Sequence, residues 1–184
     1  MKCELQVRNR QRIRRINLRY LRRLVETVLE ELVVAKEYQL CIHIVAKPEM
    51  KHLNETFLRH SGSTDVITFG YTDDAVQRAR GYRSHLRYRP NRPPSSELHG
   101  EIFVCVDEAI TQARRFRTTW ESEIVRYVIH GLLHLLGFDD KKGQARRKMK
   151  HEENCLLRQL GGRFRFGKLA VVRRSKQAIV FNYP

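Results

Sequence analysis

HGLLHLLGFDD, residues 130–140, is the stretch whose residue types can do chemistry. His130 and His134 stand four apart, so on a helix their rings leave one face and can share a metal ion. Gly137 stops that helix and lets the chain double back, which can bring Asp139 or Asp140 to the same ion as a third ligand. Three protein ligands leave a fourth position for water or substrate, the arrangement of a catalytic site. The same spacing also suits two core histidines on an apolar helix, and an HxxxH pair by itself is common. The carboxylates just past the glycine favour the metal, because a buried ion needs anionic compensation. Zinc proteases of the HExxH type carry their general base directly after the first histidine. Here that position is Gly131, which has no side chain to move a proton, so such a protease is disfavoured.

The elements that must position these residues follow from periodicity and punctuation. Thr118 or Thr119 caps a helix over Trp120–Leu136, and with its cap the metal-site helix spans about 119–136. Strands are expected at 4–8, 39–46, 65–71 and 100–106, where β-branched and apolar residues alternate. Helices are expected over 17–35, from Pro48 to Leu58, over 107–117 and over 144–160. Residues 72–97 hold three of the five prolines and read as a long mobile excursion. Two further short strands, 168–172 and 178–182, are expected in the tail from Gly161. The pattern is α+β: a single domain with a small mixed β-sheet covered by helices. It divides into a domain over 1–160 and a basic tail over 161–184.

Charge points to the partner. The chain has 184 residues, 36 Lys plus Arg against 20 Asp plus Glu, and a net charge of +16. Residues 1–23 carry nine basic groups and one acid; 78–92 and 161–184 carry six basic groups each and no acid. What remains is a mildly acidic domain. So large an imbalance repels itself unless a polyanion is near. Tyr82, Tyr88, Phe164 and Phe166 interleave the arginines and allow base stacking beside phosphate contact. Nucleic acid is therefore the expected partner, with Arg83, Arg87, Arg89 and Arg92 as the candidates to bind it. No apolar run is long enough to span a membrane, and MKCELQVRNR has no apolar signal region. Four scattered cysteines without a CxxC pair read as reduced, mostly buried thiols, and the expected compartment is the cytoplasm.

At the histidine helix the sequence resembles the YbeY family of bacterial ribosomal RNA maturation factors, described as metal-dependent endoribonucleases. The family motif HGxLHLxGxDH is met by HGLLHLLGFD, 130–139, at all seven specified positions. LNETFLR, 53–59, resembles the family's LNxxyR segment; STDVITF, 63–69, its TDVLSF strand; and GEIFVCVDEA, 100–109, its GDI strand. Met149 and Glu153 fall on its M-x-x-x-E pattern, and the likeness covers roughly residues 4–160. The family's third histidine is Asp140 here, the excursion at 72–97 is longer than usual, and the tail is additional.

The resemblance implies one divalent transition metal, zinc foremost, held by His130, His134 and Asp140. A carboxylate in third place weakens the ion's Lewis acidity and tilts metal choice toward harder ions such as Mn²⁺. It further implies a single-strand-type endoribonuclease acting in ribosomal RNA processing and small-subunit maturation, with ribosomal RNA and the ribosome or its assembly intermediates as partners. Arg59, at the place of the family's cleft arginine, is the candidate catalytic clamp on the scissile phosphate. His60 and His99 are candidate proton donors by proximity in the motif map, and His151 is a reserve ligand. The alternative is a non-catalytic, RNA-binding ribosome assembly factor in which Asp140 lies at the surface and the metal site is structural or degraded. A metallohydrolase of peptides or small molecules is disfavoured by Gly131 and the basic segments.

Overall fold

In the computed structural model, which describes residues 3–32, 37–71, 98–141 and 143–171, the β-branched runs form four strands. They are β1 (Cys3–Asn9), β2 (Tyr38–Val45), β3 (Val66–Gly70) and β4 (Leu98–Cys105). The sheet order is β1-β2-β4-β3, with β1, β2 and β4 parallel and β3 antiparallel to β4. The mixed sheet and α+β class are those expected from the pattern of elements. Arg83, Arg87, Arg89 and Arg92, the excursion at 72–97 and the strand expected at 178–182 lie outside the described residues.

Five helices cover the sheet: α1 (Leu18–Thr27), α2 (Lys47–Leu53), α3 (Val106–Phe116), α4 (Trp120–Leu135) and α5 (Gly143–Arg163). α1 and α2 run on into single π turns, Val28–Leu32 and Asn54–Leu58. Asn17 caps α1 by accepting the Tyr20 N–H at 3.1 Å. Two clusters divide the core. The larger unites Leu40, Ile42 and Ile44 of β2 and Ile102 and Val104 of β4 with the apolar stripes of α1, α4 and α5. The smaller, on the opposite sheet face, packs Met50 of α2 against Val45, Ile67, Phe103 and Cys105.

Several expectations change at the C-terminal end. α5 continues through Gly161 and Gly162 to Arg163, because Leu156 and Leu160 are buried and Phe164 packs behind them. Where a strand was expected over 168–172, Phe166–Leu169 closes as a 3-10 turn and Ala170 makes a single bridge to Ile16. That turn inserts Leu169, fully buried, into the core while Lys168 beside it stays exposed. Phe164 makes an edge-type contact with Tyr20 at 5.7 Å, and both Phe164 and Phe166 are half-buried against the core. All four cysteines are free, but only Cys105 is buried; Cys41 and Cys155 are half-buried and Cys3 is exposed. Among the described residues no helix is long and apolar enough to cross a membrane.

Candidate metal centre

α4 is built to be held hard against the sheet. Thr119 and Ser122 form a reciprocal capping box at its start, with the Thr119 hydroxyl accepting the Ser122 N–H at 3.2 Å. Ile124, Val125, Val128, Ile129, Leu132 and Leu133 are fully buried. A methyl group on Gly131 would stand 2.7 Å from Ile102 Cγ2 and 3.1 Å from Thr68 Oγ1. The glycine that could not act as a base is thus the point where the helix touches the sheet.

The helix ends in a Schellman turn. Gly137 has φ +86°, the Phe138 N–H bonds the Leu133 carbonyl at 2.9 Å, and the Gly137 N–H bonds that of His134 at 2.9 Å. Phe138 is buried there as the apolar residue that accompanies such a turn. Its carbonyl comes round to the helix and accepts from His134 Nδ1 at 3.1 Å. The chain then carries Asp140 back over the histidines, its carbonyl held by Arg146 Nε at 2.9 Å.

His130 is fixed from α5. Its Nδ1 donates to Glu153 Oε2 at 3.0 Å. Glu153 is buried and also receives Lys150 Nζ at 2.6 Å and Arg126 Nη1. Burial by itself would raise the Glu153 carboxyl, but the donors His130, Lys150 and Arg126 outweigh it and hold the group ionised, at about 2. With both Nδ1 atoms donating, both Nε2 atoms carry lone pairs, and these face each other 3.1 Å apart. Asp140 Oδ2 stands 3.8 Å from His130 Nε2. Ligating atoms of His130, His134 and Asp140 all lie within 4.8 Å of one another. Two lone pairs and a carboxylate converging on one point repel unless a cation lies between them. Two nitrogens on a tetrahedral zinc stand roughly 3.3 Å apart, given bonds of 2.0–2.1 Å. The donor set therefore fits a metal, with Glu153 and the Phe138 carbonyl as the outer partners that set ring tautomer and direction. Burial, and then the neighbouring His130, lowers the His134 imidazole and keeps it in the neutral, ligating form.

Of the two candidate aspartates the turn selects Asp140. Asp139 is exposed and accepts the Lys141 N–H at 3.0 Å. His151, the reserve ligand, is exposed and turned to Cys155 Sγ at 3.6 Å, a partner one helical turn away. His99 lies on the opposite sheet face from α4, because Gly100 beside it is the residue that abuts Leu135. That parity removes His99 as a proton donor at this site. His60 is exposed in the turn after α2. Arg59, also exposed, ends the second π turn with φ +57°, and among the described residues nothing joins it to the histidines. Its N–H bonds the Asn54 carbonyl, five residues back. LNETFLR holds one residue more than LNxxyR, and this longer bond absorbs it. No role for Glu153, Arg126 or Lys150 follows from residue spacing alone. The signal for Glu153 was its place in the M-x-x-x-E pattern.

A family model described as endoribonuclease YbeY matches residues 6–161. The chain belongs to that family. Among curated YbeY relatives, the endoribonuclease YbeY of Chlorobium phaeovibrioides is 34% identical over 112 residues, 61% of this chain and 62% of its own length. The chain thus spans a little under two thirds of that relative. The endoribonuclease YbeY of Chlorobium luteolum is 30% identical over 161 residues, 85% of this chain and 98% of its own. A Thermotoga maritima protein solved in solution superposes with a TM-score of 0.58 at 24% identity, over 95% of this chain and all of that one. The last of these bears on the fold alone.

Proposed function

We propose that this YbeY-family chain is a metal-dependent endoribonuclease that matures ribosomal RNA, working at the His130, His134 and Asp140 cluster. The observation that carries the reading is the pair of Nε2 atoms facing each other 3.1 Å apart, with each Nδ1 at hydrogen-bond distance from an acceptor. His130, His134 and Asp140 would hold one divalent transition metal, zinc foremost, which when bound supplies Lewis acidity at a scissile phosphate. Glu153 keeps the Nδ1 proton on His130, and the Phe138 carbonyl does the same for His134, so both rings are oriented before substrate arrives. The Asp140 side chain is 43% exposed and that of His130 is 24% exposed, so the cluster opens to solvent on the side an RNA strand would approach. Arg59, exposed at the end of the second π turn, is the proposed clamp on phosphate oxygens through its guanidinium. Arg83, Arg87, Arg89 and Arg92 are proposed to hold RNA through its phosphates, and the ribosome or its assembly intermediates are the proposed partners. The degraded-site form of the binding-only alternative needs Asp140 away from the histidines, and its 3.8 Å approach to His130 counts against that form.

The test is cleavage of a structured ribosomal RNA fragment by the zinc-loaded chain, its chelator-treated form and His134→Ala. Cleavage is expected only from the first, and restored to the second by added zinc. Undiminished cleavage by His134→Ala would overturn the assignment of the site.

A further inference from the structure

The opposite sheet face carries a second constellation. Along β2, Leu40, Ile42 and Ile44 enter the main core, so Cys41 and His43 point the other way. On β4, Gly100 and Ile102 abut Leu135 and Gly131 of α4, so Glu101 shares the face of Cys41 and His43. The parallel register sets Cys41 directly beside Glu101, and His43 beside Phe103. As a result Cys41 Sγ, a His43 ring nitrogen and a Glu101 carboxylate oxygen lie within 4.8 Å of one another.

His43 is the residue that needs explaining. Its side chain is 5% exposed and its ring stacks on Phe103, centroids 4.4 Å apart at 9°. Among the described residues neither ring nitrogen has a hydrogen-bond partner. Nε2 stands 3.5 Å from Glu101 Oε1, short of hydrogen-bond geometry. Buried polar atoms are nearly always satisfied, so two unsatisfied nitrogens on one fixed ring mark a missing partner. Burial lowers this imidazole, against the pull of Glu101, and so favours the neutral form that ligates metals. Glu101 is already oriented: Tyr71 donates its hydroxyl to Oε2 at 3.1 Å and leaves Oε1 turned to His43. A cavity of about 210 Å³, lined by Cys41, Tyr71, His99 and Glu101 among others, adjoins the cluster on its Cys41 and Glu101 side.

We propose that Cys41, His43 and Glu101 form a second metal site, separate from the histidine helix, for one zinc-like divalent cation with its fourth position open to the cavity. A thiolate, a neutral imidazole and a carboxylate are a zinc donor set, and they disfavour Mg²⁺, Ca²⁺ and Mn²⁺. Two negative ligands balance the ion's charge, and binding expels the thiol proton to water. Burial pushes the Cys41 thiol up, and Arg8, which lines the same cavity and is held by Gln6 Oε1 at 2.6 Å, opposes that shift, so the metal itself must draw off the thiol proton. Tyr71 is the outer partner that orients the carboxylate.

The test uses the full chain, stripped of metal and titrated with Co²⁺ and then Zn²⁺. His130, His134 and Asp140 contain no sulfur, so a thiolate-to-cobalt charge-transfer band in the near ultraviolet reports the second site alone. Wild type is expected to take two equivalents and to show the band. Cys41→Ser should take one equivalent and lose it, whereas His134→Ala should also lose one equivalent but keep the band. Glu101→Gln retains an acceptor for Tyr71 and keeps the test open if Cys41→Ser fails to fold; its affinity at this site should fall at least about tenfold. Tyr71→Phe should weaken binding by up to about tenfold. No band in the wild type would mean that His43 and Glu101 are an ordinary ion pair and would overturn the proposal. So would a band that survives Cys41→Ser and disappears in Cys155→Ser, which would place the metal on His151 and Cys155.

Discussion

Glu153→Gln replaces one carboxylate oxygen by an amide at the residue that holds His130. The wild-type carboxylate is 3% exposed and takes hydrogen bonds from His130 Nδ1 at 3.0 Å, Lys150 Nζ at 2.6 Å and Arg126 Nη1. A glutamine keeps one acceptor and turns a donor toward at least one of these three donors. His130 then loses a charge-assisted bond and becomes free to move its proton to Nε2, where it would point at His134 and block ligation. Loss of an outer partner of this kind costs about 10–100-fold in metal affinity, or about 1.4–2.7 kcal/mol. The metal-free fold should lose about 1–3 kcal/mol as buried charge-assisted bonds go. The lower half of that range is expected, because Arg126 retains Glu123 at 3.6 Å and the Lys150 side chain, 55% exposed, can turn to water. Zinc affinity would be measured by competition with a chromophoric chelator, and stability by urea unfolding of the metal-free chain. A zinc affinity within about twofold of wild type, beside a clear loss in His134→Ala, would refute the outer-partner argument.

Asp140→Ala should lower bound zinc while leaving RNA affinity nearly unchanged; equal metal content by elemental mass spectrometry would remove Asp140 from the ligand set. Gly131→Ala should lower the melting temperature, since the contact with Ile102 costs about 1–3 kcal/mol against a helix-propensity gain of about 1 kcal/mol. An unchanged or higher melting temperature would show that the helix does not depend on its close approach to the sheet. Tyr38 is held protonated by burial and by its bond to Glu30, which push it up to about 12 from 10.0. The folded chain therefore binds more protons than the unfolded one between these values. Stability should fall as pH rises from about 10 to 12, by at most about 3 kcal/mol; in Tyr38→Phe that alkaline slope should disappear from urea titrations. Replacing Arg83, Arg87, Arg89 and Arg92 by glutamine should flatten the salt dependence of RNA binding, by a slope of up to about 3. An unchanged slope would mean that these arginines do not contact phosphate.

Local signals were legible where neighbours in the chain decide the outcome. The spacing of His130 and His134, the Gly137 stop and the cap at Thr119 concern residues within one or two turns of each other, and all three stand in the structure as the spacing implied. The same holds for the four strands of the sheet, whose alternation is a property of a few consecutive residues, but not for the strand expected at 168–172. Spacing alone left Asp139 and Asp140 open and the family motif pointed to Asp140; why that residue faces the histidines depends on the path of the chain after the Schellman turn and on the Arg146 contact to the Asp140 carbonyl. The loss of His99 as a proton donor was not legible, because sheet face is set by which neighbour on β4 meets α4.

The amino-acid sequence alone determined the α+β class, the histidine helix, the basic balance and the family. Each of these rests on composition, short-range periodicity or a motif carried in one continuous segment. Only the tertiary structure decided what surrounds the histidines. Glu153 is brought to His130 from another helix, 23 residues further along the chain. Cys41, His43 and Glu101 meet only because β2 and β4 pair in parallel, with Glu101 60 positions after its partner Cys41. Contacts of that kind follow from register and packing, which no stretch of the chain specifies by itself.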